Sequence, residues 1–271
     1  MSMDIYQFQK GRLPLLISVP HAGVHIPDSI AAHMTDVGRD SVDSDRHVDQ
    51  LYDFARTMGA GMVSATHSRY VVDLNRSSDD QNLYPGQDTT GLCPIDSFEH
   101  SALYEQGYVL DEVEISNRIV NYWQPYHAKL ATELQRLKDQ YGYALLWDAH
   151  SIKSSVPRFF EGKLPDINLG TANGSSCAKG LGEALLGSVF PQNKSSTVLN
   201  GRFTGGFITR HYGDPENNIH AVQLELSQIT YMDEEAPFNY RPDLVADIQP
   251  QLKALLECFL ASFQADGYVQ N

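Results

Sequence analysis

The sequence is short of cysteine. Cys93, Cys177 and Cys258 stand far apart and none falls in CxxC spacing. An odd, sparse set excludes a disulfide framework and a thiolate metal site. Positive charge is also scarce, with 20 Lys and Arg against 34 Asp and Glu and a formal net charge of −14. Nucleic acid and anionic membrane both require a basic surface, so neither is expected as the main partner. A small anion is not excluded, because a few local arginines can meet it inside an acidic protein. No apolar run approaches the roughly 20 residues of a membrane-spanning helix. The first residues, MSMDIYQFQKGRLP, lack the apolar core of a secretory signal, and the expectation is a soluble cytoplasmic protein. No Gly-rich phosphate loop, dinucleotide fingerprint or GxSxG elbow occurs. Nothing marks Cys93, in GLCPID, as a nucleophile.

What the chain does have is enough apolar residue, 42% of 271 positions, to bury a substantial core. Leu13–Val19 reads as a buried strand running into Pro20-His21-Ala22-Gly23. Val48–Met58 has helical spacing with Gly59 as its stop. Two strands are expected between Gly61 and Leu74, MVSAT and YVVDL, and a long loop from Asn82 to His100. Glu112–Tyr141 is helical in pattern, kinked or divided by Pro125. Tyr143–Trp147, Asp166–Thr171, Thr197–Asn200, Phe207–Arg210 and Ala221–Leu226 read as strands. Ala178–Val189 and Pro242–Phe263 read as helices, the latter broken at Pro250. Strands alternating with helices predict a single α/β domain spanning the chain, with helices on both faces of the sheet. In such sheets ligands collect beyond the carboxyl ends of the strands.

Several polar clusters fall at such ends. His21 follows the first strand, Asp43-Ser-Asp45-Arg-His47 precedes a helix, and Asp148 and His150 follow the strand of ALLWDAHSI. Residues two apart on a strand share a face. Two histidines and a carboxylate are common ligands of a catalytic zinc, and each ligating imidazole needs its other nitrogen tied down, a task Asp148 can perform. The plain structural alternative is that the histidines are hydrogen-bonded core residues. Asp43 and Asp45 would then favour the positive end of a helix. In SRYVVDLNR, Asn75 and Arg76 form a pair suited to a carboxylate, with Arg69 nearby; a surface salt bridge is the alternative. In GGFITRHYG…AVQLEL, Arg210 ends one expected strand and Glu225 interrupts an apolar one. A buried carboxylate needs a partner or a cleft. Glu225 therefore reads either as a general base facing water or as half of an ion pair with an arginine such as Arg210.

Together the runs PLLISVPHAG, DSDRHVDQLYDFA, SRYVVDLNR, YALLWDAHSI, PRFFEGKLPDINLGT, GGFITRHYG and AVQLEL, from about Pro14 to Met232, resemble the N-formylglutamate amidohydrolase family. That family is similar in turn to the zinc carboxypeptidase and aspartoacylase group. The resemblance implies an α/β fold with a twisted, mostly parallel mixed sheet flanked by helices. It implies zinc or another divalent metal held by His21, a carboxylate and His150, with Glu225 as base. It also implies Asn75 and Arg76 on a substrate carboxylate, in the Asp-Leu-Asn-Arg context of aspartoacylases. The wider group carries its carboxylate ligand three residues after the first histidine, where this chain has Val24. Asp45 is preferred for that role over Asp43, because the Asp-x-x-Val-Asp portion is kept, and His47 is a further alternative. The implied activity is hydrolysis of N-formyl-L-glutamate in histidine degradation. Arg69 or Arg210 would hold the second carboxylate or stabilise the oxyanion. The alternatives are action on another N-acyl acidic amino acid, or anionic-ligand binding without turnover.

Overall fold

Every residue from Ala144 to Ile152 is buried, and the sheet is assembled around this strand. The computed structural model describes residues 3–82, 86, 88–189 and 195–264. Its strands are β1 (Tyr6–Gln9), β2 (Leu15–Val19), β3 (Gly61–Ala65), β4 (Ala144–Ile152), β5 (Ile167–Gly170), β6 (Thr197–Leu199) and β7 (Ile219–Ser227). They form one seven-stranded mixed sheet in the order β1-β3-β2-β4-β7-β5-β6. Only the β1–β3 and β5–β7 pairings are antiparallel. The helices are α1 (Asp28–Ala31), α2 (Asp36–Asp40), α3 (Val48–Leu51), α4 (Asp53–Met58), α5 (Glu112–Arg118), α6 (Gln124–Tyr141), α7 (Leu181–Val189), α8 (Phe207–Tyr212) and α9 (Pro242–Gln264).

The two faces of the central strands are buried differently. Leu145, Trp147 and Ala149 of β4 join Val222, Leu224 and Leu226 of β7 in a core closed by α3, α4, α7 and α9. The opposite face begins apolar, with Ala144, Leu146 and Ala221 packed beneath Leu130, Leu134 and Leu137 of α6. It then turns polar. Asp148 is registered with Gln223, and His150 with Glu225. Because alternate residues share a face, this places four polar side chains in a patch at the carboxyl end of the sheet.

Several expected elements take other forms. Tyr70–Leu74 is not a strand but a chain of turns. Val71 N donates to Ser68 O at 2.9 Å, and Asp73 Oδ1 accepts from Asn75 N at 2.9 Å. An aspartate that bonds its own backbone two residues on competes with ladder pairing. Phe207–Arg210 is the helix α8, not a strand. The donor of Ile208 N at its start, which has no partner within the helix, is met at 2.8 Å by Asn75 Oδ1 from a distant loop, so tertiary contact overrides β-propensity. β4 continues beyond Trp147, so Asp148 and His150 lie within the strand. Val48–Met58 divides into α3 and α4. A π-helical turn at Ile119–Trp123 precedes Pro125, so the chain passes from α5 to α6 without the proline clashing inside a regular helix. α9 runs unbroken through Pro250, held by the buried Leu252, Leu255 and Phe259. The edge strand β1 has no counterpart in the sequence reading. No helix is long and apolar enough to cross a membrane among the described residues.

Trp147 is fully buried and its Nε1 donates to Tyr52 Oη at 2.9 Å, joining β4 to the α3–α4 junction. Trp147→Ala leaves both a large cavity and an unpartnered buried hydroxyl. Equilibrium denaturation should show a loss of roughly 3–5 kcal/mol with an unchanged m-value.

Candidate active site

His21 leaves the end of β2, and His150 projects from β4 two strand positions beyond the Ser18–Asp148 register. Asp45 arrives from the segment before α3, whose backbone is fastened to the first histidine by Asp45 N donating to His21 O at 2.9 Å. The three side chains are almost wholly buried, at 2%, 1% and 3% exposure for His21, Asp45 and His150. One nitrogen or oxygen from each lies within 4.8 Å of the others.

The two imidazoles are oriented alike. His21 Nε2 lies 2.8 Å from Asp73 Oδ1, and His150 Nε2 lies 3.1 Å from Asp148 Oδ2. A carboxylate can only accept, so His21 Nε2 carries its proton and His21 Nδ1 presents a lone pair, whereas His150 has a carboxylate at each nitrogen, Asp148 at Nε2 and Asp45 at Nδ1. Both Nδ1 atoms face Asp45 Oδ2, at 3.7 Å from His21 and 3.3 Å from His150. His21 Nδ1 and Asp45 Oδ1 are buried and have no hydrogen-bond partner. Convergent donors of this kind, with the far ring nitrogens fixed by carboxylates, fit a divalent cation.

The alternatives for the carboxylate are occupied elsewhere. Asp43 Oδ2 accepts from Tyr70 Oη at 2.6 Å and from Phe98 N at 2.8 Å. His47 Nε2 lies 2.8 Å from Phe238 O. Only Asp45 stands between the two histidines, and Ser151 N donates to it at 3.1 Å.

Burial opposes charge throughout the cluster, and partners decide which charges survive. Burial alone raises the Asp45 carboxyl, but the neighbouring His150 and His21 imidazoles bring it well below the usual range. Asp73 is likewise held far down against burial, chiefly by Arg69 and then His21. Burial pulls His150 down, yet Asp148 and Asp45 leave it well above the ordinary histidine value. Glu225 is pushed up to about 8, mainly by burial, with the His150 charge opposing and Asp45 and Asp148 adding to the rise.

A cavity opens beside this cluster, lined among others by Arg69, Arg76, Phe98, Arg202 and Glu225. Arg69 pairs with Asp73 at 2.6 Å and approaches Asp45 at 3.8 Å, its guanidinium over the Phe98 ring. Asn75 lies against the cluster, with Nδ2 3.1 Å from His150 Nε2. Arg76 is oriented by its Nε bond to Thr90 O at 3.0 Å. Gly206 is required here, since a Cβ on it would meet Asn75 Nδ2 at 2.2 Å. Gln223 Nε2 donates to Glu225 Oε2 at 3.3 Å.

The structure thus brings together His21, Asp45, His150, Arg69, Asn75, Arg76 and Glu225, with Asp148 behind His150. Arg210 stands apart from the cavity lining. Its Nε donates to Gly205 O at 2.7 Å and its Nη2 to Thr204 Oγ1 at 2.9 Å, so it supports a turn and does not pair with Glu225. Two further residues emerge only in three dimensions. Asp73 orients His21; its one sequence signal is its position four residues after Arg69. Arg202 sits in a glycine-containing stretch, NGRFTGG, where nothing in the pattern distinguishes it.

Residues 13–232 match the family described as N-formylglutamate amidohydrolase. A protein of Pseudomonas putida named N-formylglutamate deformylase is 52% identical over 257 residues, covering 95% of this chain and 96% of that one. A second N-formylglutamate deformylase, from Pseudomonas aeruginosa, is 50% identical over 258 residues, covering 95% and 97%. Among solved structures, the N-formylglutamate amidohydrolase of Ralstonia eutropha JMP134 superimposes with a TM-score of 0.82 at 22% identity, over 96% of this chain and 98% of that one. A gene product of Agrobacterium tumefaciens does so with a TM-score of 0.72 at 17% identity, over 96% of both chains. At those identities the structural likeness is one of fold. On the match across residues 13–232 and the half-identical, near full-length relatives, the chain belongs to the N-formylglutamate amidohydrolase family.

Proposed function

We propose that the chain hydrolyses N-formyl-L-glutamate to formate and L-glutamate, and that this places it in histidine degradation in the cytoplasm. One observation carries the reading: 52% identity across 95% of the chain to a protein named N-formylglutamate deformylase. The buried cluster and its cavity supply a chemistry consistent with it.

His21 Nδ1, Asp45 and His150 Nδ1 would hold zinc or another divalent cation. Such a cation supplies Lewis acidity, acidifying water and polarising a carbonyl. The remaining work falls to side chains of this chain. Asn75 and Arg76 bind the α-carboxylate of the substrate and fix the formyl group beside the cluster. Arg69, at the same wall, stabilises the negative charge that develops on the formyl oxygen. Glu225 takes a proton from the attacking water and delivers it to the nitrogen as the C–N bond breaks, so formate and a free amine leave. Asp73 keeps His21 in the tautomer that exposes Nδ1, and Asp148 fixes the His150 ring with its Nδ1 toward Asp45.

The test is direct formate release from purified protein supplied with N-formyl-L-glutamate, alongside the acetyl and formimino analogues and the aspartate series. Turnover confined to a larger acyl group would replace this reading with a different amidohydrolase. Saturable binding without formate would leave a ligand-binding protein.

Glu225→Gln should lower kcat by about 10²–10⁴-fold. As a base, Glu225 is active only when ionised, so activity is present above its pKa and lost as pH falls through it. Because burial raises that carboxyl above its ordinary 4.5, the acid limb of kcat/KM should lie above pH 4.5. A bound cation draws it down from the metal-free position of about 8. A limb that persists unchanged in Glu225→Gln belongs to another group.

Metal analysis should find about one divalent ion per chain in wild type and much less in His21→Ala or Asp45→Ala. Chelation should lower the Tm of wild type, and readdition of zinc should restore it, since a ligand that binds only the folded state stabilises it by mass action. Equal Tm in chelator and in zinc, with full activity in both, would remove the metal from the proposal.

A further inference from the structure

We infer that Arg202 is the specificity-determining cation of the cavity and that it receives the γ-carboxylate of the substrate. The inference rests on the activity proposed above and extends it to a residue that sequence reasoning left unassigned.

N-formylglutamate carries two carboxylates in a chain with a net charge of −14, so recognition depends on where the few arginines stand. Three arginines line the cavity: Arg69, Arg76 and Arg202. Arg69 is committed to the ligand cluster, paired with Asp73 at 2.6 Å and near Asp45 at 3.8 Å. Arg76 adjoins Asn75, whose amide nitrogen is 3.1 Å from His150 Nε2. The α-carboxylate is bonded to the carbon that bears the reacting nitrogen, so it belongs on this clamp beside the cluster. The γ-carboxylate is two methylenes further out and needs a cation beyond the clamp. Arg202 meets that requirement. Its Nε donates to Phe159 O, and its guanidinium packs 5.8 Å from the Phe159 ring centre and 5.3 Å from that of Phe203. Both rings line the cavity and offer an apolar surface for the intervening methylenes.

The segment bearing Arg202 is fixed to the rest of the site. Thr171 N donates to Asn200 Oδ1 at 2.9 Å, and Ala172 N to Thr204 O at 2.6 Å. Gly206 N donates to Gln223 Oε1 at 2.6 Å, and the Gly206 backbone lies against the Asn75 amide. Arg210 ties Gly205 and Thr204 together from behind. The two arginine positions are therefore linked through Asn75 and Gly206, and the distance between them selects the spacing of the two substrate carboxylates. A shorter diacid such as N-formylaspartate would reach one position and miss the other.

The experiment compares kcat/KM for N-formyl-L-glutamate and N-formyl-L-glutamine, which differ in γ-charge and hardly in shape. Wild type should favour the glutamate by about 100-fold, since a neutral amide cannot take the paired charge-assisted hydrogen bonds that a guanidinium gives a carboxylate. In Arg202→Gln this ratio should collapse toward unity, mostly through KM, and Arg202→Lys should recover part of it. Arg76→Gln, removing the clamp that both substrates share, should lower both values and keep the ratio. A ratio in Arg202→Gln equal to that of wild type overturns the assignment, as does an equal loss on both substrates in the Gln and Lys variants. If wild type releases no formate from N-formyl-L-glutamate, the proposed activity and this inference fail together. Release with a ratio insensitive to Arg202 overturns this inference alone.

Discussion

Two contacts between carboxylates and histidines set the site. Asp73 holds His21 Nε2 and Asp148 holds His150 Nε2, at 2.8 and 3.1 Å. An imidazole presents only one lone pair when neutral, and the proton's position decides which nitrogen offers it. By standing against Nε2 of both rings, the two aspartates turn both Nδ1 atoms toward Asp45. The arrangement gathers Asp45, Asp73, Asp148 and Glu225 into a small buried volume, which is costly unless cations balance them. Arg69 offsets part of that charge through Asp73 and Asp45. A divalent cation among the convergent ligands would offset more, which joins the proposed chemistry to the stability of the folded site.

The sheet makes this possible by changing character along its length. One face of β4 and β7 is apolar from Leu145 to Ala149 and from Val222 to Leu226, where helices cover it. The other is apolar only as far as α6 extends, then carries Asp148, His150, Gln223 and Glu225. A strand whose neighbours pair on both sides tolerates polar side chains on one face without losing its ladder bonds. The polar patch is thus held by rigid central strands, while the loops supply Asp45, Asn75, Arg76 and Arg202. Asn75 links these parts: its Oδ1 accepts from the start of α8, its Nδ2 faces His150, and its backbone N is held by Asp73.

An acidic protein that takes a dianion must concentrate its cations locally. The cavity lining contains three arginines, and each is held differently. Arg69 is secured by carboxylates, Arg76 by the carbonyls of Thr90 and Asn75, and the contacts of Arg202 include the Phe159 carbonyl and two aromatic rings. Their different partners suit different roles beside one ligand, one near the reacting carbonyl and two toward the ends of the substrate.

Much of this was legible in the sequence. The apolar runs of β2, β4 and β7 and the 3–4 spacing of α6 predict the α/β layers, because burial periodicity is a local property of the chain. His21, His150 and Glu225 stand out because polar residues in or just after apolar strands need a reason to be there. Local pattern failed where distant groups decided the outcome. Tyr70–Leu74 has strand composition but turns on the Asp73 carboxylate, and Phe207–Arg210 becomes helical with its first donors met by Asn75. Chain pattern alone puts two histidines and several aspartates at the carboxyl ends of buried strands. Long-range packing selects Asp45 over Asp43 and His47 to stand between them, sets Asp73 against His21, and brings Arg202 in place of Arg210 to the cavity. These are choices among neighbours in space, made by hydrogen bonds between segments far apart in the chain, 52 residues for His21–Asp73 and 105 for His150–Asp45, which no local pattern encodes.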